Sequence, residues 1–115
     1  MRVCVATDDG VKVKIGHFGD AAYYLVYEVR EGKPVLVVRV ENPYRGSHEH
    51  GEEAEERGKR RGILELLKRY GCDAIVATAF GPGGREFMER HGLRVYTVRP
   101  GTEVWEALES IVRGS

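Results

Sequence analysis

The apolar residues of this chain change their spacing once, and that change decides the fold class. As far as Asn42 they fall in runs rich in β-branched and aromatic side chains, "RVCVAT", "AYYLVYEVR" and "KPVLVVRVEN", which read as strands. "DDG" predicts a tight reversal into the alternating "VKVKI", a small hairpin, and Glu31 with Gly32 predicts a second hairpin between the two longer runs. The length of these runs implies sheet faces that are mostly covered. From about Glu52 the period becomes helical, with Ile63, Leu64, Leu66, Leu67 and Tyr70 on one face. The spacing pairs Glu53 with Arg57, Glu55 with Lys59 and Glu56 with Arg60, which marks a solvated first half of that helix.

"DAIVATAF" then reads as a buried strand, "GPGG" as a tight turn, "REFMERHG" as a short helix and "LRVYTV" as a further strand. A last helix follows, with Thr102 as its cap, Glu103 in its first turn and Val104, Trp105, Leu108, Ile111 and Val112 on its buried side. Alternating α and β after an antiparallel meander calls for an α/β fold with a mixed five-stranded sheet flanked by helices. In that scheme "RVCVAT" lies centrally, beside the meander and "DAIVATAF". The 115 residues suit a single domain, 1–115.

Eighteen basic residues balance eighteen acidic ones, so no global field recruits nucleic acid or an anionic membrane. No stretch approaches the ~20 apolar residues of a membrane span, and the protein is expected to be cytoplasmic. Cys4 and Cys72 have no metal-binding spacing and are expected to be reduced thiols. The absence of glutamine, a single asparagine and 31% charged residues lean towards a heat-adapted source.

The candidate chemistry centres on "GHFG", Gly16 to Gly19. The glycines let a bulky ligand approach, while Phe18 can anchor the loop and leave His17 pointing outward. The same tetrapeptide also fits a plain turn. In "SHEHG" the alternation of His48 and His50 puts both rings on one side of an extended loop, and with His17 they would make three ligands for a transition metal. A solvated loop that happens to hold two histidines is the competing reading. The region Asn42 to Glu53 concentrates turn formers and polar residues and is expected to be the least ordered. "FGPGGREF" has the turn geometry that binds phosphates, but it is no recognised fingerprint, and a close-packed turn explains it as well. His91, beside a helix-ending glycine, reads as structural.

Hydrolysis is disfavoured. Asp8 and Asp9 could begin a two-metal site, yet the central strand "DAIVATAF" ends in apolar residues where a further acid is needed. The serines, Ser47, Ser110 and Ser115, occupy no strand-to-helix elbow, and Cys4 lies inside a strand.

"VATDD", "IGHFGDAAYYLVYEV", "ENP" with its histidine-glycine loop, "LLKRYGCDAIVATAFGPGG" and "GLRVYTVRPGTEVWEAL" together resemble the dinitrogenase iron-molybdenum cofactor biosynthesis family. This is the small domain of NifX, NafY and the NifB C-terminal region, and the present chain looks like a stand-alone member. The resemblance implies a ribonuclease H-like fold without nuclease activity. It also implies a non-enzymatic carrier of a metal-sulfur cofactor of iron-sulfur or iron-molybdenum type, or of a transition metal. Cofactor donor or acceptor proteins are then the implied partners, and no oligomeric state is implied. His17 carries over as the cofactor-contacting histidine of the HFG motif, with Gly16, Phe18 and Gly19 around it; His48 and His50 match a variable loop. Lys14 or Arg45 could assist an anionic cofactor. A protein-interaction module without an inorganic ligand is the alternative function, and an enzyme acting on a small phosphorylated ligand at "GPGG" is a third.

Overall fold

In a computed structural model of the chain, residues 1–45 and 53–114 are described, with the backbone alone for residues 53–57. Strands β1 (Arg2–Thr7), β2 (Tyr23–Arg30) and β3 (Lys33–Glu41) are followed by α1 (Glu53–Arg69), β4 (Ala74–Ala77), α2 (Gly84–Arg90), β5 (Arg94–Thr97) and α3 (Val104–Gly114). The sheet order is β3-β2-β1-β4-β5. β1 pairs antiparallel with β2, from Arg2↔Glu28 to Thr7↔Tyr23, and parallel with β4, from Val3↔Ala74 to Val5↔Val76. The central place expected for "RVCVAT" is therefore found. β1 is uniformly apolar from Val3 to Ala6 because both of its edges and both of its faces are covered.

Alternation along the strands divides the core in two. Cys4, Ala6, Tyr24, Val26, Ile75 and Ala77 meet Ile63, Leu64 and Leu67 of α1 and Met88 of α2. Val3, Val5, Leu25, Ala74 and Val76 meet Val104, Ala107, Leu108 and Ile111 of α3. The result is three layers. The Glu31–Gly32 hairpin is as predicted, with both residues at positive φ, 51° and 75°.

Several expectations need correction. "VKVKI" makes no strand, only isolated bridges at Thr7↔Val13 and Lys12↔Glu103. The Asp9 carboxylate accepts the N–H groups of Val11 and Lys12, Lys14 N–H returns to Ala6 O of β1 at 2.7 Å, and the start of α3 takes others, through Val13 N–H to Thr102 O at 3.0 Å and Val104 N–H to Val11 O at 2.8 Å. β3 is an edge strand that the helices cover only in part, so Val35, Leu36 and Val37 are exposed while Val40 is buried. Glu103, not Thr102, directly precedes α3, and its N–H donates to the Glu106 carboxylate at 3.0 Å, half of a capping box. Trp105 faces solvent, its indole N–H on the Glu103 carboxylate. Of the region Asn42 to Glu53, expected to be the least ordered, residues 46–52 lie outside the described residues, while Asn42 is buried and hydrogen-bonded to Gly19 and Ala21. Tyr44 packs over α1 where a side chain on Gly62 would collide with its ring.

Cys4 and Cys72 are joined in a disulfide, contrary to the expectation of reduced thiols. Their Cα atoms are 6.1 Å apart, within bonding range, because β1 lies beside β4 and Cys72 stands just before it. The bond ties the centre of the sheet to the end of α1.

Reduction of this bond should lower the melting temperature by roughly 10 to 20 °C, since closing so long a loop contributes about 4 kcal/mol in the chain-entropy account. Thiol titration of protein unfolded without reductant should find no free thiol; two free thiols per chain would show that the bond does not form.

Candidate functional site

In an open α/β sheet the crevice for a ligand opens where the chain leaves two adjacent parallel strands in opposite directions. Here β1 leads towards β2 on one side and β4 towards β5 on the other. The GHFG loop lies at that point. Its backbone extends the sheet: His17 bridges Ala79 in parallel fashion, and Phe18 N–H donates to Ala79 O at 2.9 Å. Thr78 completes the seam, its hydroxyl donating to Lys14 O at 2.8 Å and accepting from Gly16 N–H at 3.1 Å.

Phe18 is buried, its ring 4.9 Å from that of Tyr24 and 5.4 Å from that of Phe80. The Tyr24 hydroxyl donates to Phe18 O at 2.8 Å, and burial, followed by the charge of Asp20, pushes that hydroxyl far above the usual phenol range. Tyr24 is thus a fixed donor. The Asn42 amide donates to Gly19 O and to Ala21 O, both at 2.9 Å, and its carbonyl oxygen accepts Tyr44 N–H.

His17 itself is exposed, with 54% of its side chain accessible, although the backbone that carries it is pinned on both sides. Its Nδ1 lies 4.0 Å from the Asp20 carboxylate, and the ring stands over the GPGG turn, where a Cβ on Gly81 would come within 3.6 Å of Nδ1. Asp20 also accepts a 2.6 Å hydrogen bond from the Lys59 ammonium, whose side chain is only 6% exposed. Gly19 permits this approach, since a Cβ there would sit 3.2 Å from Lys59 Cε. Lys59 is therefore no part of a solvated helix face. The side chains of Glu53, Glu55, Glu56 and Arg57, invoked in the helix pairing, lie outside the described residues.

The other side of the loop closes on Asp8. Lys14 Nζ donates to its carboxylate at 2.7 Å and Ala22 N–H at 2.9 Å. Partial burial works to raise the Asp8 pKa, but these two hydrogen bonds, with the positive charges of Lys14 and Arg45, outweigh it and leave the pKa below the usual carboxylate value. Arg45 is exposed and near enough to bias this charge. At Asp9 the N–H groups of Lys12 and then Val11 likewise hold the carboxyl below its ordinary range.

Gly16, His17, Phe18 and Gly19 thus lie beside the GPGG turn, with Arg45 near Asp8 on the other side of the loop. His48 and His50 lie outside the described residues. His91 sits apart, its Nδ1 2.9 Å from Phe87 O, in the structural role expected of it. Among the described residues no three histidine, cysteine or acidic side chains converge to hold a metal ion. Sequence reasoning missed Asp20, Lys59, Thr78 and Asn42. For Asn42 a signal existed, because it is the sole asparagine in a chain otherwise free of side-chain amides.

These features define a small α/β domain with a hydrogen-bonded candidate loop at the ends of its central parallel strands. Its sequence matches the model of the family described as "Dinitrogenase iron-molybdenum cofactor" over residues 1–114, and the chain belongs to that family. Among solved structures it is similar to the apo form of the orange protein from Desulfovibrio gigas, with a TM-score of 0.72 and 20% identity, covering 98% of this chain and 88% of that one. A NifB-like protein of Thermotoga, of the DUF35 family, gives a TM-score of 0.68 at 22% identity, covering 98% and 88%. At these identities the likeness establishes the fold. Comparison with curated proteins yields no match.

The lowered pKa of Asp8 gives a signed pH dependence. A carboxyl depressed in the folded state contributes stability above its unfolded pKa of about 3.9 and loses it as pH falls through the lower folded value. The melting temperature of wild type should exceed that of Asp8→Asn by a constant margin above about pH 5, and the margin should close below about pH 4. A margin that does not change with pH would show that the charge is not responsible.

Proposed function

We propose that this protein is a non-catalytic carrier of a metal-sulfur cofactor or its precursor, held at the GHFG loop. The observation that bears most weight is an exposed imidazole on a backbone hydrogen-bonded on both sides. His17 presents more than half of its side chain to solvent while the main chain around it is bonded to Thr78, Ala79, Tyr24 and Asn42. A loop serving only as a connection has no need of so many fixed partners, whereas a ligand site gains affinity from preorganisation.

The donor set fits such a group in one particular way. Both cysteines are engaged in the buried disulfide, so no thiolate is offered among the described residues. A cluster that depends on protein thiolates does not match; an anionic unit bringing its own sulfides does, with His17 as ligand and neighbouring cations and N–H groups as support. The family description supports this reading, as do the strand order and the single antiparallel excursion, which suit the ribonuclease H-like fold inferred from the resemblance. Cofactor donor and acceptor proteins are the partners we infer, in the cytoplasm. The disulfide accords with the heat-adapted composition, since intracellular proteins of hyperthermophiles are the known exception to reduced thiols.

One observation favours the second reading, an interaction module without an inorganic ligand. Val35, Leu36 and Trp105 are exposed, and a groove of about 490 Å³ opens beside Trp105, lined also by Tyr27, Pro34 and Leu108.

Anaerobic titration with a metal-sulfide probe, together with metal analysis of anaerobically purified protein, separates the two. His17→Ala should weaken binding by about 10-fold or more, a loss of ~1.4 kcal/mol, while shifting stability by no more than about 0.5 kcal/mol. Unchanged affinity would favour the interaction module. A large loss of stability would make His17 a structural residue.

A further inference from the structure

We propose that Arg60 is a second contact for the cargo, a guanidinium subsite across the GPGG turn from His17 that selects an anionic metal-sulfide unit over a bare metal cation. The inference rests on the carrier reading and adds to it a residue and a charge.

The described partners of Arg60 are a carbonyl and an aromatic ring. Arg60 projects from α1 and donates through Nη1 to Pro82 O at 3.3 Å, with its guanidinium carbon 5.4 Å from the centre of the Phe87 ring. Its Nε is buried and meets no acceptor among the described residues. A buried donor without a partner carries a cost that a bound ligand or water relieves. The guanidinium has five N–H donors, of which the Pro82 carbonyl takes one.

The turn is shaped to admit this side chain. Gly83 has φ of 73°, and a Cβ there would lie 2.8 Å from Arg60 Nη1, so any larger residue would displace the guanidinium. His17 stands over Gly81, and Arg60 reaches Pro82 and Gly83. Imidazole and guanidinium thus border the same short turn, Gly81 to Gly83, and one polynuclear ligand lying along it would meet both.

Charge balance points the same way. Lys14 is matched by Asp8 and Lys59 by Asp20. Arg60 meets no carboxylate among the described residues, and the side chain of Glu56, one turn earlier on α1, lies outside them. A planar fork of donors favours an anion that accepts at several atoms, which a sulfide-bearing metallate does and an aquated cation does not.

The test measures anaerobic binding of two probes, tetrathiomolybdate and Zn²⁺, to wild type, Arg60→Met, Arg60→Lys and His17→Ala, with thermal melts of each. Arg60→Met should bind tetrathiomolybdate about 10-fold or more weakly, while its Zn²⁺ affinity stays equal or rises. Arg60→Lys should recover part of the loss, because charge returns without the fork. His17→Ala should weaken both probes. If Arg60→Met binds tetrathiomolybdate as wild type does while His17→Ala does not, the Arg60 subsite is wrong and the carrier reading stands. Equal loss of both probes in Arg60→Met would make Arg60 a structural support for the turn and overturn the proposal. Failure of wild type to bind either probe would overturn the proposal and the carrier reading together.

Discussion

Burial of Phe18 is the contact on which the site depends. Its ring fills the space between Tyr24 and Phe80, its N–H extends the sheet onto Ala79, and its carbonyl takes the Tyr24 hydroxyl. One residue is thereby fixed by packing and by hydrogen bonds with β2 and with the segment that follows β4, on opposite sides of β1. Its neighbour His17 can then be exposed without being mobile through its backbone. An interior packs densely enough that a shift of Phe18 would be transmitted to Tyr24, and through Tyr24 to Asn42 and the chain beyond β3.

A second layer of constraint comes from α1. Lys59 and Arg60 are consecutive, yet they serve different parts of the site. Lys59 is drawn inward to Asp20 and fixes the turn after Phe18; Arg60 lies over Phe87 and reaches the turn that follows β4. A partly buried ammonium is tolerated because it is matched at short range by a carboxylate, which offsets the desolvation both groups suffer. The disulfide holds the far end of the same helix to β1. The helix is thus secured at its end to the core and along its length to both loops of the site.

How much of this was legible follows from the range of each interaction. The central β1, the Glu31–Gly32 turn and the alternation of the later elements depend on local periodicity and turn chemistry, and they were read correctly. The GHFG loop was legible because glycines flank an aromatic anchor. "VKVKI" has strand periodicity, but its bonds are divided between the end of β1 and the entrance of α3, and no local pattern announces the second. Lys59 sits at solvent-like helix spacing, and its partner Asp20 is 39 positions away. Asn42, set among turn formers, is buried by carbonyls of Gly19 and Ala21 that only the folded chain supplies. The two cysteines are 68 positions apart, and without the parallel pairing of β1 with β4 nothing brings them together.

The central claim is that the imidazole of His17 meets the cargo. Its most direct test is the long-range ¹H–¹⁵N spectrum of the histidine side chains, recorded anaerobically before and after addition of tetrathiomolybdate. The account predicts that the ring nitrogen signals of His17 shift or broaden while those of His91, which is bonded to Phe87 O, stay in place. Unmoved His17 signals at a concentration where the probe is bound would contradict it.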